Sequence, residues 1–305
     1  MTLVEIDKIR KSYDSFVAVD DLSLAIPQGE VYGLLGPNGA GKTSTIRMII
    51  GITLPDSGAV RMFGEPFHRG HLGRIGYLPE ERGLYKKMKV IEQLVFLGEV
   101  HGLSARAAMQ RSREWCERLD LADWADKKVE ELSKGMQQKV QFIAAVLHDP
   151  EFIIMDEPFS GMDPVNTVKM KDILLGMKQQ GKTILFSTHR MDTVERLCDS
   201  ICLIDHGRAV LHGELSEIRS RWGKNHVQIQ YDGDGAFLLE RRVVAGYNDY
   251  GNYVEVALAP GADPQELLKL AAARARISRF EVLEPSLEQI FIETVESPQK
   301  VVARA

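Results

Sequence analysis

The stretch Val31-Tyr-Gly-Leu-Leu-Gly-Pro-Asn-Gly-Ala-Gly-Lys-Thr-Ser-Thr-Ile-Arg-Met-Ile-Ile50 runs from an apolar, strand-like segment through a glycine-rich turn into a helix-like segment. Its centre, Gly36-Pro-Asn-Gly-Ala-Gly-Lys-Thr43, fits the pattern G-x-x-x-x-G-K-[ST] in the strand–loop–helix setting of a phosphate-binding loop. Gly36, Gly39 and Gly41 let the backbone N–H groups of the turn, with Pro37, Asn38 and Ala40 between them, curl around a polyphosphate. A helix beginning near Gly41 points its positive dipole end at the same place. Lys42 adds a full charge, and Thr43 supplies the hydroxyl that a Mg²⁺ ion needs. A glycine-rich turn that matches by chance rarely has strand, Lys-Thr and helix in this order, so the loop predicts a bound nucleoside triphosphate.

Around this loop lie 305 residues, 44% of them hydrophobic, enough for one large α/β domain and a smaller one. A net charge of -5 and a pI near 6.0 give no electrostatic reason to expect a nucleic-acid partner. No apolar run approaches the eighteen or so residues of a membrane span, and the charged start MTLVEIDKIRK lacks the apolar core of a signal peptide. A cytosolic chain is expected. Cys116, Cys198 and Cys202 lack ligand partners at zinc-like spacing and read as reduced, packed thiols.

Strand-like alternation at Val4 to Ile9 and Leu22 to Ile26 opens a sheet that turns through Pro27-Gln-Gly29 into Val31 to Leu35. Strands are also expected at Val60 to Phe63 and Ile75 to Leu78. From 88 to 148 the pattern becomes helical, at Val90 to His101, Ala105 to Leu119 and Gly135 to Leu147, as in a helical insertion within an α/β frame. Buried parallel strands are expected at Phe152 to Met155, Thr183 to Ser187 and Ile201 to Ile204. The nucleotide-binding domain is placed at 1–221. Residues 222–305 carry strand patterns at Val227 to Tyr231, Tyr253 to Leu258 and Arg279 to Val282, with helices at Pro264 to Arg274 and Leu287 to Val295. This reads as a small α+β domain of about 80 residues.

Phe152-Ile-Ile-Met-Asp-Glu157 delivers two carboxylates to a strand end, where open α/β sheets bind ligands. Asp156 suits a Mg²⁺ ion, directly or through water, and Glu157 suits the general base that polarises an attacking water. Alone, such a pair is most simply a solvated strand end; beside the phosphate loop it is a catalytic candidate. His189, after the next buried strand, is placed to bond a γ-phosphate and orient that water.

Together these residues resemble the ATP-binding-cassette family, in particular the nucleotide-binding subunit of a membrane transporter. The resemblance covers about residues 3 to 220. Its most discriminating element is Leu132-Ser-Lys-Gly-Met-Gln-Gln-Lys139, similar to the family's LSGGQ segment and standing, as there, between the helical insertion and the Asp156-Glu157 strand. The implied fold is a P-loop NTPase cassette of α/β class with a helical insertion, followed by the small α+β domain. The implied activity is ATP hydrolysis coupled to transport, with ATP and Mg²⁺ as cofactors.

In the family two cassettes pack head to tail, so Ser133 and the backbone of Gly135 would reach the γ-phosphate held by a second subunit, a copy or a paralogue. Ser133 is equally an N-cap, and one serine can do both. Tyr13 resembles the aromatic that stacks on adenine, though a strand-end tyrosine is as readily a packing residue. Asp163, in Ser160-Gly-Met-Asp163, resembles the carboxylate that links the two sites, and also fits an N-cap before Pro164.

Two departures stand out. Leu78-Pro-Glu-Glu-Arg82 puts Glu80 where most members have glutamine, so an acceptor-only carboxylate stands within reach of Mg²⁺ or the water, repelling a γ-phosphate unless the metal or Arg82 offsets its charge. Lys134 and Met136 replace a glycine and a glutamine; Lys134 either faces the partner's ATP or points to solvent. With one cassette and no span, the resemblance implies integral-membrane permease subunits docked near Glu80 to Val95, and a peripheral position on the cytoplasmic face of the membrane. Lys86-Lys87 in that segment reads most simply as a solvated face.

The layout, Glu80 and the ending Leu283-Glu-Pro-Ser-Leu-Glu-Gln-Ile-Phe291 look most like ATPase subunits of sodium or antibiotic exporters. A soluble ATPase of the same family acting on DNA or the ribosome is the alternative. The acidic balance and the lack of a coiled-coil insertion or second cassette count against it.

Overall fold

The computed structural model of the chain describes residues 1–81, 83–222, 226–283 and 286–296. Arg82, expected to offset Glu80, and Glu284-Pro285 of the terminal segment lie outside them. The chain divides into two compact units, Met1–Glu214 and Leu215–Ala305.

In the first unit β1 (Thr2–Tyr13) and β2 (Phe16–Pro27) form a long hairpin, followed by β3 (Val31–Leu35) and α1 (Lys42–Ile49). Next come β4 (Ser57–Met62), β5 (Glu65–Pro66), a 3₁₀ turn at Arg69–Arg74 and β6 (Ile75–Leu78). The helical region holds α2 (Val90–Val100), α3 (Ala105–Arg118) and α4 (Lys134–Val146), which begins and ends one residue earlier than the pattern predicts. Then β7 (Phe152–Asp156), α5 (Pro164–Gln179), β8 (Thr183–Thr188), α6 (Met191–Leu197), β9 (Ser200–Asp205) and β10 (Arg208–Glu214) alternate.

Two sheets result. One is antiparallel, in the order β2-β1-β4-β5; the other runs β10-β9-β3-β8-β7-β6, parallel except for β10. Strands β3, β7 and β8 are buried along their whole length, which is why they read as continuous apolar runs. Ile9, Leu22, Ile26, Leu34, Ile46 and Met48 belong to one core cluster, which joins the two sheets and α1. Removing a fully buried leucine such as Leu34 from a core of this kind costs about 2–5 kcal/mol.

The parallel register sets the site. Leu35 lies opposite Thr188, Asp156 opposite Ser187, and Leu78 opposite Met155, so β3, β8, β7 and β6 end at one sheet edge. The loop after β3, the carboxylates at the end of β7 and just beyond it, His189 after β8 and Glu80 after β6 therefore share that edge.

The second unit contains α7 (Leu215–Trp222), β11 (His226–Gly233), β12 (Val244–Asp249), β13 (Val254–Leu258), α8 (Pro264–Ala272), β14 (Ala275–Leu283) and α9 (Leu287–Glu296). Its antiparallel sheet, β12-β13-β11-β14, has its own core of Val227, Ile229, Phe237, Val256 and Leu267. All three cysteines are free thiols, with burial pushing Cys116 up to about 11 and Cys202 up to about 12. Among the described residues no helix is long and apolar enough to cross a membrane.

Candidate functional site

The phosphate loop is built by exclusion of side chains. A Cβ on Gly36, at φ 149°, would lie 2.2 Å from the carbonyl oxygen of Ile204, and one on Gly41, at φ 108°, would lie 2.4 Å from that of Ala18. Only glycine passes between β9 and β2 in these conformations. Ala40 N–H donates to Pro37 O at 3.2 Å and closes the turn, while Asn38 and Gly39 line the open side. Gly41 precedes α1 without any side-chain cap, so the first N–H groups of the helix have no side-chain acceptor.

Lys42 Nζ folds back onto Gly36 O at 2.7 Å and Pro37 O at 3.0 Å. Burial holds its ammonium below the usual lysine range, opposed by the charges of Glu157, Asp156 and Glu80. An ammonium held by two neutral carbonyls, with carboxylates nearby, is a charge waiting for an anion. The loop opens on a cavity of about 410 Å³ that also takes in Tyr13, Phe16, Glu80, Asp156 and Glu157.

At the other wall Thr43 Oγ1 donates to Asp156 Oδ2 at 2.8 Å, and the Ser187 hydroxyl donates to the second oxygen. Asp156 is only 1% exposed. Two hydroxyls hold its carboxylate, and no cation pairs with it among the described residues. Glu80 is exposed and lines the same cavity. Thr43, Asp156 and Glu80 make an oxygen-only donor set, the chemistry that suits a hard ion such as Mg²⁺. Gln141 Nε2 donates to Pro79 O at 3.2 Å and Glu81 O at 3.0 Å, fixing the backbone on both sides of Glu80 to α4.

Glu157 sits just beyond β7 with a left-handed backbone, φ 49°, which swings its side chain toward the end of β8. Its Oε1 accepts from the backbone N–H of His189 at 3.1 Å and from Nδ1 of the same ring at 2.8 Å. Thr188 Oγ1 donates to Oε2 at 3.2 Å. A carboxylate has about four lone-pair sites, so one remains on Oε2. The Glu157 side chain is 12% exposed and that of His189 55%, so the carboxylate is held inward and the ring outward.

Ser133, Gly135 and Asp163 do not line this cavity. Ser133 is exposed and caps α4, its hydroxyl accepting from Met136 N–H at 3.3 Å; Lys134 beside it is exposed too. Asp163 caps α5, accepting from Asn166 N–H at 2.9 Å, and the backbone and side chain of Asn166 hold its carboxyl below the usual range. The start of α4 lies against the loop that leads to α5. A Cβ on Gly135 would be 3.6 Å from Gly161 O, and Gln138 Nε2 donates to Pro158 O at 3.2 Å, tying α4 to the loop after Glu157.

Sequence reasoning passed over Phe16, Ser187 and Gln141. Phe16 faces Tyr13 directly across the β1–β2 turn. Its available signal was the two-residue loop Asp14-Ser15 between aromatics. Ser187 had only its place opposite Asp156 in the parallel register, which one sequence does not print.

A second concavity, about 380 Å³, is mainly apolar and lined by Ile50, Ile52, Leu72, Leu84 and Leu97. Ile52 is 63% exposed and neighbouring Leu54 73%.

Comparison with known proteins gives a consistent picture. Residues 19–160 match the ABC transporter family, and residues 213–295 match the C-terminal domain of DrrA1-3-like ATP-binding proteins. The chain is 45% identical to YhaQ of Bacillus subtilis, an uncharacterized ABC transporter ATP-binding protein, over 96% of this chain and 98% of that one. It is 33% identical to the linearmycin resistance ATP-binding protein LnrL of the same organism, over 95% and 97% of the two chains. Nod factor export ATP-binding protein I of Burkholderia lata is 38% identical, over 95% of each. Among solved structures, an ATP-binding subunit of an ABC transporter superposes with a TM-score of 0.68 at 33% identity, covering 73% of this chain and 94% of that one.

Proposed function

Because the chain belongs to the ABC transporter ATP-binding proteins, and so is an ATP-binding ATPase, we propose that it drives a membrane exporter from the cytoplasmic face. The observation that carries the hydrolytic part is Glu157, fixed through Oε1 by His189 and through Oε2 by Thr188, beside the Lys42 loop. Lys42 exchanges its two carbonyl partners for β- and γ-phosphate oxygens, and the uncapped N–H groups of α1 take the rest. Tyr13 stacks on the adenine. Thr43, Asp156 and Glu80 would hold Mg²⁺, which would offset the charge on the phosphates. The remaining lone pair on Glu157 Oε2 accepts the proton of the attacking water. For His189 to donate from Nε2 to the γ-phosphate while Nδ1–H stays on Glu157, its ring must be the imidazolium.

Ser133 and Gly135 serve a second subunit. Their place outside the chain's own cavity supports a composite site, in which Ser133 and the N–H groups of α4 close over the partner's γ-phosphate and Asp163 senses that closure. Loss of the phosphate removes the bridge between subunits, a ligand-controlled two-state element. The permease docks in the apolar groove of Ile52, Leu72 and Leu97, whose rim residue Leu84 follows Glu80 closely in sequence. Export as the direction is supported by relatives named for Nod factor export and linearmycin resistance.

Glu157→Gln keeps the side-chain shape and removes the base. It is expected to bind ATP normally, to slow phosphate release about 10²–10⁴-fold, and to accumulate an ATP-bound dimer on size-exclusion chromatography. Unchanged turnover would remove Glu157 from the base role.

A further inference from the structure

The short strand β5 and the 3₁₀ turn after it gather three side chains that the nucleotide site does not use. Glu65 Oε2 lies 3.4 Å from His68 Nε2 and 3.9 Å from His71 Nε2, and the ligand atoms of all three lie within 4.8 Å of one another. The two imidazoles are tilted over each other, with ring centroids 3.7 Å apart. His71 is 4% exposed and is wedged edge-on between Phe63 and Phe67, at centroid distances of 5.4 and 6.1 Å. Glu65 and His68 are more than half exposed, which leaves the open side of the cluster to solvent.

Part of this arrangement is ordinary capping. His68 Nδ1 accepts from Gly70 N–H at 3.1 Å, and His71 Nδ1 accepts from His68 N–H at 3.4 Å. Capping uses only the Nδ1 atoms. It does not require both Nε2 atoms to converge on one carboxylate oxygen, yet they do. Four ligands at about 2.0–2.1 Å around a tetrahedral ion lie about 3.3 Å apart. The Glu65–His68 spacing already has that value within 0.1 Å, the Glu65–His71 spacing needs a closure of about half an ångström, and the two rings must open from 3.7 Å to about 5 Å between centroids to point both Nε2 atoms at one tetrahedral ion.

We propose that Glu65, His68 and His71 bind a divalent transition-metal ion of borderline softness, Zn²⁺ or a similar ion, with water in the fourth position. Two imidazoles and one carboxylate favour such an ion over Mg²⁺ or Ca²⁺, which prefer oxygen ligands. On binding, each ring keeps one proton but carries it on Nδ1 instead of Nε2. The bonds from Gly70 and His68 N–H then give way, a loss small beside the coordination of such an ion. The ion would brace the turn Arg69–Arg74, and Leu72, next to His71, lines the apolar groove.

The test is a Zn²⁺ titration of the full chain, free of tag, metal and nucleotide, against a chromophoric chelator in millimolar Mg²⁺ to occupy hard-ion sites. One equivalent per chain is expected, saturating below about 100 μM. His68→Ala and Glu65→Gln each change an exposed side chain, so folding is retained, and each is expected to weaken binding at least about tenfold, the loss that even an outer-shell partner causes. His71→Ala should abolish binding, and native circular dichroism will show whether that buried variant still folds. Failure to saturate by about 100 μM overturns the proposal, as does unchanged affinity in both exposed variants.

Discussion

Helix α1 begins at Lys42 behind Gly41 with no side chain capping its first N–H groups, whereas α4 begins at Lys134 behind Ser133, whose hydroxyl accepts from Met136 N–H at 3.3 Å. Both are helix N-termini in an ATP-binding protein, and both have the positive dipole end that attracts phosphate. Only the first lines the chain's own cavity. The uncapped start is incomplete until an anion arrives. The capped start is satisfied by its own serine, which in the proposed composite site would turn toward a phosphate presented by a second subunit. For the proposed composite site, the difference sets which half would be occupied first.

The strongest way to break this comparison is to damage the uncapped side. Lys42→Ala removes a charge-assisted bond to phosphate, a loss of about 1.5–3 kcal/mol. ATP affinity of the isolated subunit, measured by fluorescence with a labelled nucleotide, should fall about 10- to 150-fold. The same measurement on Ser133→Ala should give wild-type affinity, because Ser133 does not line that cavity. If both variants weakened binding in the monomer alike, the division between the two helix starts would fail.

The capped side is separated by two substitutions at one position. Ser133→Ala removes the cap, lowering stability by about 0.5–2 kcal/mol in a denaturant titration. Ser133→Asp caps as well as serine, but carries a negative charge toward the partner's phosphate. It should keep wild-type stability and still lose about tenfold or more in ATP-driven dimerisation and turnover, some 1.4 kcal/mol. Full turnover in Ser133→Asp would confine Ser133 to capping.

The contrast between the helix starts was visible in the residues themselves, since a glycine before Lys-Thr and a serine before Lys-Gly are opposite capping choices. The central strands were equally legible, because burial on both faces leaves uninterrupted apolar runs such as Phe152–Met155. The opening hairpin was not. Alternation predicts strands only at Val4 to Ile9 and Leu22 to Ile26, but β1 and β2 continue to Tyr13 and back from Phe16. Register shifts near left-handed Lys8 (φ 48°) and the left-handed backbone of Asp21 (φ 52°) break the two-residue period that a pattern search relies on. In the second unit β12 was missed for another reason. Ala245-Gly-Tyr-Asn-Asp249 is largely exposed at a sheet edge and carries turn-forming residues, so only its pairing with β13 makes it a strand. The bonds from Ser187 to Asp156 and from Gln141 to the Glu80 loop join residues far apart in sequence, and they follow from the register and from α4 packing, neither of which a local pattern contains.

The smallest effect comes from the extended hairpin, and it sharpens the cavity side of the comparison. Tyr13, 40% exposed, and Phe16, 59% exposed, face each other across the turn and line one cavity, so two aromatic rings are available where sequence reasoning named one. If Tyr13 alone stacks on adenine, Tyr13→Ala should weaken ATP binding by about 1 kcal/mol, roughly fivefold, and Phe16→Ala should leave it unchanged. If the rings share the base, the double variant loses more than the sum of the two single losses, because after either single change the remaining ring still covers part of the base. Affinity for inorganic triphosphate, which has no base, is the internal control and should be the same in all three variants. A loss there would move the pair from base recognition to the packing of the phosphate loop against β2.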